Sequence, residues 1–195
     1  PMIYSFLRVL VYLYYVIFKR VKAVGRNNIP SKGPVLIFAN HPTTTDMVLI
    51  SAFVKRKVHY MGKAELFKNP VLALFFRSLG VFPVQRGKGD VGAVKTVYRL
   101  LDENKVVGVF PEGTRTPKKN PNLNKGGAAM MALRSGAAVL PVAVEWNKTF
   151  FSRPRIVFGE PYIMLPEEES ERITKKELVT LTRGIMDNIY ALIDM

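Results

Sequence analysis

A chain of 195 residues is enough for one domain with a hydrophobic core and too short for two comfortable ones. Hydrophobic residues at 48% and charged residues at 23% exclude a disordered or collagen-like chain, and the absence of cysteine excludes a disulfide framework, a thiolate metal site and a thiol nucleophile. The net charge of +14 demands a polyanionic partner, but residues 1–159 carry 25 basic and 7 acidic side chains while residues 160–195 carry 4 and 8, which argues against a uniformly basic nucleic-acid binder.

The first segment, Met2 to Phe18, is a 17-residue apolar run interrupted only by Ser5 and Arg8, and Lys19, Arg20 and Lys22 follow it. As a helix it spans roughly 25 Å at about 1.5 Å per residue, against a hydrocarbon core of about 30 Å. Its aromatics (Tyr4, Phe6, Tyr12, Tyr14, Tyr15, Phe18) suit a headgroup boundary, and the basic cluster suits an anionic cytoplasmic surface. A membrane-associating helix is therefore expected over residues 1–24, spanning the bilayer or lying in its interface; the competing reading is a buried core helix. A signal peptide is not expected, since no small-residue cleavage site follows and the basic cluster lies on the wrong side.

Beyond a linker around Gly25–Pro34, β-rich runs alternate with helical patterns. Strands are expected at Val35–Ala39, Val58–Met61, Val81–Val84, Val106–Phe110, Ala138–Val144 and Arg155–Phe158. Helices are expected at Met47–Val54, Pro70–Ser78, Val91–Leu101, Gly126–Ser135 and Lys175–Ile193. The alternation predicts an α/β domain over residues 25–195, with a mixed, largely parallel sheet flanked by helices. The last helix opens with a capping box, Thr174-x-x-Glu177, and repeats Leu178, Leu181, Ile185, Ile189 and Leu192 along one face. The acidic run Glu167–Glu169 reads as a solvated loop before it.

Two loops carry chemistry. Asn40-His41-Pro42-Thr43-Thr44-Thr45-Asp46 directly follows a strand, and in α/β sheets reactive groups gather at the carboxyl ends of strands. The turn can bring the Asp46 carboxylate back to the His41 ring, fixing its tautomer and leaving the other nitrogen as a general base. The bland alternative is a strand-end histidine and an aspartate that favours a helix N-terminus. Phe110-Pro111-Glu112-Gly113-Thr114-Arg115 also follows a strand: Gly113 allows a tight turn, Arg115 offers bidentate phosphate recognition, and Glu112 can orient nearby donors. Alone this would be a loop with an ion pair.

The Asn-His-x-x-x-x-Asp pattern of His41 and Asp46, with Glu112-Gly113-Thr114-Arg115 66 positions beyond Asp46, resembles the glycerolipid acyltransferases, and most of all the bacterial 1-acyl-sn-glycerol-3-phosphate acyltransferases. Gly80-Val81-Phe82-Pro83-Val84-Gln85-Arg86 resembles the family's second block and Val139-Leu140-Pro141-Val142 its fourth; Lys63 and Lys125-Gly126-Gly127 stand where members carry basic residues. The resemblance covers roughly Gly25 to Phe158. Pro83 departs from it, standing where an aliphatic residue is commoner, and the amino-terminal segment is shorter than the paired anchor helices of some members.

The resemblance implies a glycerol-3-phosphate acyltransferase-like fold and acyl transfer from acyl-CoA or acyl carrier protein to the free hydroxyl of a lysophosphatidic acid, giving phosphatidic acid at the cytoplasmic face of a bacterial membrane. It implies no cofactor beyond that co-substrate. His41 and Asp46 would be catalytic; Lys63, Arg86, Glu112, Gly113, Thr114 and Arg115 would form the phosphate site, with Asn40 and Lys125 in support. The residues agree with this chemistry: a positioned imidazole can take the proton of an alcohol as it attacks, and neither a cysteine nor a Gly-x-Ser-x-Gly elbow supplies a covalent nucleophile. Glycerol 3-phosphate or another lysophospholipid is the alternative acceptor. Ester hydrolysis by the His-Asp pair and a non-enzymatic anionic-lipid binder are the more distant readings.

Other features read as structural. Gly87-Lys88-Gly89-Asp90-Val91-Gly92 matches a dinucleotide-binding fingerprint, but the acid it needs would fall at Glu112, so it reads as a loop with Asp90 as helix cap. His59, in an apolar strand after Lys55-Arg56-Lys57, reads as structural. Two histidines 18 positions apart give no familiar zinc pattern. Phe75-Phe76 and Met130-Met131 read as core, and Trp146 carries no readable function.

Overall fold

The computed structural model describes residues 2–85, 90–116, 118–120, 125–146, 153–165 and 173–194. Its strands are β1 (Lys22–Val24), β2 (Val35–Ala39), β3 (Val58–Lys63), β4 (Val81–Val84), β5 (Val106–Val109), β6 (Ala138–Glu145), β7 (Arg155–Phe158) and β8 (Tyr162–Ile163). Its helices are α1 (Met2–Leu13), α2 (Asp46–Phe53), α3 (Pro70–Ser78), α4 (Val91–Asp102), α5 (Gly127–Ser135) and α6 (Lys175–Ala191). The strands form one sheet in the order β1-β7-β6-β2-β5-β3-β4, with β8 pairing on β6. All neighbours run parallel except β6 with β7 and β6 with β8.

β2 sits between β5 and β6, with Val35 opposite both Val106 and Ala138. Its sequence Val-Leu-Ile-Phe-Ala is buried throughout, as expected of a parallel strand covered on both faces. Successive side chains point to opposite layers: Leu36 and Phe38 pack with α4, α5 and α6, while Val35, Ile37 and Ala39 pack with α2 and Tyr15. Phe38 has no exposed surface, and truncating such a ring costs about 3–5 kcal/mol in lost transfer and cavity energy.

Local chemistry sets the helix starts. The Asn69 side chain accepts from the N–H groups of Val71 and Leu72, with Pro70 in the first turn. Asp90 accepts from Ala93 N–H at 3.0 Å and so caps α4; the glycine-rich residues before it, and Arg86 with them, lie outside the described residues. Thr174 and Glu177 form the expected reciprocal box at the start of α6. Pro83 falls on the edge strand β4, where the sheet does not need a second ladder N–H.

Three features differ from the sequence reading. β1 and β8 were not expected: they are three and two residues long, too short to show a hydrophobic period. On α6 the buried face runs through Thr182, Ile185, Met186 and Ile189, while Leu181 is exposed. Thr182 belongs there because its hydroxyl accepts the Ala129 N–H of α5 at 3.2 Å. Phe75 is also exposed, whereas Met131 does lie in the core.

The amino-terminal segment is an α-helix to Leu13 and continues as a π-helical turn, Tyr14–Phe18, in which Tyr15 enters the core. α1 lies along α2: Val58 N–H donates to the Tyr4 hydroxyl at 3.2 Å, Arg8 donates to the Ala52 carbonyl, and the Tyr12 ring meets Phe53 edge-on at 5.2 Å. Its other side exposes Ile3, Phe6, Leu10 and Leu13. Among the described residues no helix is long and apolar enough to cross a membrane.

Candidate active site

The chain leaves β2 through Asn40 into His41. The Asn40 amide donates to the Val144 carbonyl at 2.8 Å and its oxygen accepts the Val144 N–H at 2.7 Å, so the side chain replaces a pair of ladder bonds and fastens the loop to β6. Both backbone groups of His41 are tied to the second motif loop. Its N–H donates to Glu112 Oε2 at 3.1 Å, and its carbonyl accepts from Thr116 N–H at 2.9 Å. Glu112 Oε1 accepts the Tyr190 hydroxyl of α6 at 2.8 Å. Burial, reinforced by the Glu112 carboxylate, pushes the Tyr190 phenol up, so it serves as a lasting donor. Gly113 turns this loop at a φ of +67°, a left-handed conformation that an L side chain resists.

Inside this frame His41 Nδ1 lies 2.8 Å from Asp46 Oδ2. His41 is 4% exposed and Asp46 fully buried. A buried carboxylate is costly unless its lone pairs are met, and here they are. Oδ2 also accepts Thr43 N–H at 2.8 Å; Oδ1 accepts the Thr43 hydroxyl at 2.6 Å and the Trp146 indole N–H at 2.7 Å. With an acceptor opposite Nδ1, the imidazole proton resides there and Nε2 is left as the base. Phe110 stacks on the imidazole at 3.9 Å and 15° between planes, fixing the ring and keeping water from that face. Tyr60 stacks behind Phe110 at 6.0 Å. It fits only because β5 has Gly108, where a Cβ would lie 2.1 Å from the Tyr60 ring.

His41, Phe110, Gly113 and Lys125 line a single cleft of about 360 Å³, together with Tyr60, Gln85 and Asp90. Both motif loops thus open on the same side of the sheet. Thr114, Arg115 and Lys125 are exposed at this end, and Arg115 adjoins Thr116, which is bonded to His41. Lys63 is exposed at the carboxyl end of β3. Glu112 is 3% exposed with both oxygens engaged inward, so it braces the two loops and does not stand among the exposed phosphate candidates. Tyr60 also lines a second, apolar cavity of about 340 Å³ bounded by Tyr4, Val11, Met47, Phe75 and Phe76, which runs under α1 and α3.

Phe110, Trp146 and Tyr190 are site residues that sequence reasoning missed. Phe110 carried a signal, since it opens the second motif loop. Trp146 and Tyr190 reach the site from positions 100 and 78 residues away from their partners, and no local spacing encodes that.

With this geometry in view, the comparisons with known proteins are consistent with one another. The sequence profile of the family described as Acyltransferase matches residues 20–145. The 1-acyl-sn-glycerol-3-phosphate acyltransferase of Bacillus subtilis is 30% identical over 179 residues, covering 88% of this chain and 87% of that protein. The protein of the same name from Borreliella burgdorferi is 29% identical over 177 residues, covering 87% and 70%. The crystal structure of the 1-acyl-sn-glycerophosphate (LPA) acyltransferase of Thermotoga maritima superposes with a TM-score of 0.68 at 22% identity, over 97% of this chain and 79% of that one, which establishes the fold. A profile matching well over half of the sequence, and a relative aligned across nearly the whole of it, place this chain in the acyltransferase family.

Proposed function

We propose that this acyltransferase moves an acyl group from an acyl thioester, acyl-CoA or acyl carrier protein, to the free hydroxyl of 1-acyl-sn-glycerol 3-phosphate, giving phosphatidic acid for phospholipid synthesis. The observation that carries this reading is the His41–Asp46 contact of 2.8 Å opening into the cleft that Gly113 and Lys125 also line. His41 Nε2 accepts the hydroxyl proton as the alcohol oxygen attacks the thioester carbonyl. Asp46 steadies the imidazolium that forms. The tetrahedral intermediate expels the thiolate, which recovers the proton from His41, and no covalent enzyme intermediate is needed. Arg115, with Arg86, Lys63 and Lys125, grips the acceptor phosphate, so that binding energy remote from the reacting hydroxyl offsets the entropy of aligning it. The fatty chains are accommodated by the apolar cavity that shares Tyr60 with the cleft as a lining residue.

The same reading puts the enzyme at the cytoplasmic face of a bacterial membrane, on anionic lipid. Its support is the apolar outer side of α1, with Phe6 64% exposed and Ile17 58% exposed beyond it, followed at once by Lys19, Arg20 and Lys22. The decisive experiment gives the purified full chain, in detergent, paired mixtures of palmitoyl-CoA or palmitoyl carrier protein with lysophosphatidic acid, glycerol 3-phosphate or another lysophospholipid. Products are then identified by mass spectrometry. Phosphatidic acid formed with stoichiometric thiol release is the expected result. Free fatty acid without an acylated acceptor would turn the assignment to hydrolysis, and product from another acceptor alone would replace the acceptor.

A further inference from the structure

We propose that Trp146 is a positioning residue for the reaction: its indole N–H holds the Asp46 carboxylate in the plane that His41 requires. The inference rests on the reading of His41 and Asp46 as the reacting pair. Asp46 accepts four hydrogen bonds, from His41 Nδ1, Thr43 N–H, the Thr43 hydroxyl and Trp146 Nε1–H. The first three come from the same six-residue turn as the carboxylate, so by themselves they would let that turn pivot as a unit. Among the described residues Trp146 supplies the one donor from elsewhere in the chain, 100 positions away, at 2.7 Å.

That donor is itself well anchored. Trp146 directly follows β6, two residues after Val144, whose N–H and carbonyl are both clamped by Asn40, the neighbour of His41. One sheet strand therefore fixes the start of the catalytic turn through Asn40 and its far end through the indole. The ring is backed by Tyr15, edge-on at 6.4 Å, which is buried in the π-helical turn. The amino-terminal segment, the part of the chain with the large exposed apolar face, thus packs against Trp146. An indole N–H can donate but not accept, so its polar contribution here is one hydrogen bond to the charged carboxylate oxygen it meets.

The chain contains one tryptophan, which makes the test selective. The isostere benzothienylalanine, incorporated in place of tryptophan, changes position 146 alone and replaces the N–H by sulfur; Trp146→Phe makes the same deletion genetically. With the full chain in the acyl-transfer assay, each is expected to lower kcat about tenfold with KM for both substrates within about twofold. In an Asp46→Asn background the same change is expected to cost less than about twofold, because its partner has already lost its charge. The indole proton also gives one signal in a tryptophan-labelled NMR spectrum, and Asp46→Asn is expected to move it upfield. A wild-type kcat, a full further loss in the Asp46→Asn background, or an indole signal indifferent to Asp46→Asn would each overturn the inference. His41→Ala separates the two levels: if it stays active, the catalytic reading fails; if it is dead while the Trp146 variants turn over normally, only the positioning inference fails.

Discussion

The two histidines of this chain lie at strands of one sheet and have opposite surroundings. His41, just past the carboxyl end of β2, faces a buried carboxylate and a stacked phenylalanine and opens into a cleft. His59, inside β3, is surrounded mainly by the charges of Lys57 and Lys105, with Glu103 a weaker opposing charge. Burial first, then the two lysines, hold its pKa below the ordinary value. An imidazole becomes a useful base where a carboxylate fixes its tautomer and stabilises its charged form. Among cations in a strand it is kept neutral and fills space.

Replacing each histidine should break this comparison most sharply. His41→Ala is expected to lower kcat by about 10³-fold, the middle of the range for a positioned general base, with the melting temperature little changed. His59→Ala should leave kcat within about twofold. Initial rates of thiol release measure both; equal losses would mean that the two environments do not divide catalysis from packing. Arg115→Ala tests the proposed phosphate grip beside the His41 cleft. It should raise the KM for the phosphorylated acceptor about tenfold and leave the KM for the thioester donor unchanged. An unchanged acceptor KM would remove Arg115 from the phosphate grip.

The same contrast shows what can be read from a sequence. The residues immediately around His41 were legible, because the turn from Asn40 to Asp46 closes on itself within seven residues and the chemistry is local. β2, α3, β4 and β7 begin and end where the apolar runs and the Pro, Gly and Asn signals put them. The bracing of the site was not legible. Glu112 could be read as a residue that orients donors, but not which ones: tertiary packing turns it inward to the His41 N–H and the Tyr190 hydroxyl, away from the phosphate role that the resemblance implies. Leu181 looked like part of the α6 stripe because a period of 3.6 admits it; the close approach of α5, where Gly126 meets Leu178, rotates the buried face toward Thr182 and Met186. These outcomes depend on which helix lies opposite, and spacing along one element does not carry that information.

Tyr190→Phe sharpens the comparison at its structural side. It leaves Glu112 Oε1 buried without its donor, at a cost of about 1–3 kcal/mol, which for a chain of this size is a melting-temperature drop of about 2–12 °C. Because the other Glu112 oxygen holds the His41 N–H, kcat should also fall a few-fold, whereas a comparable loss of stability elsewhere in the core would leave kcat alone. Thermal melts and initial rates on one preparation distinguish the two; a lower melting temperature with wild-type kcat would show that Glu112 braces the fold without steadying His41.

The smallest effect belongs to His59 and is a matter of sign. Its folded-state pKa lies below the ordinary 6.5, with burial the largest cause. Above that value the imidazole is neutral whether the chain is folded or not, and its stabilising contribution is fully present. As the pH falls below 6.5 the unfolded chain binds a proton that the folded chain refuses, so stability declines until the folded-state pKa is passed. His59→Gln keeps a side chain of similar reach and removes the titration. Its melting temperature should therefore fall less than that of the wild type between pH 7.5 and 5.5, by about 1–3 °C. The remaining acid sensitivity, common to both proteins, comes from groups other than His59. Parallel slopes would mean that the lysine-faced histidine is no more averse to protonation inside the fold than outside it, and the electrostatic contrast with His41 would then lose its second half.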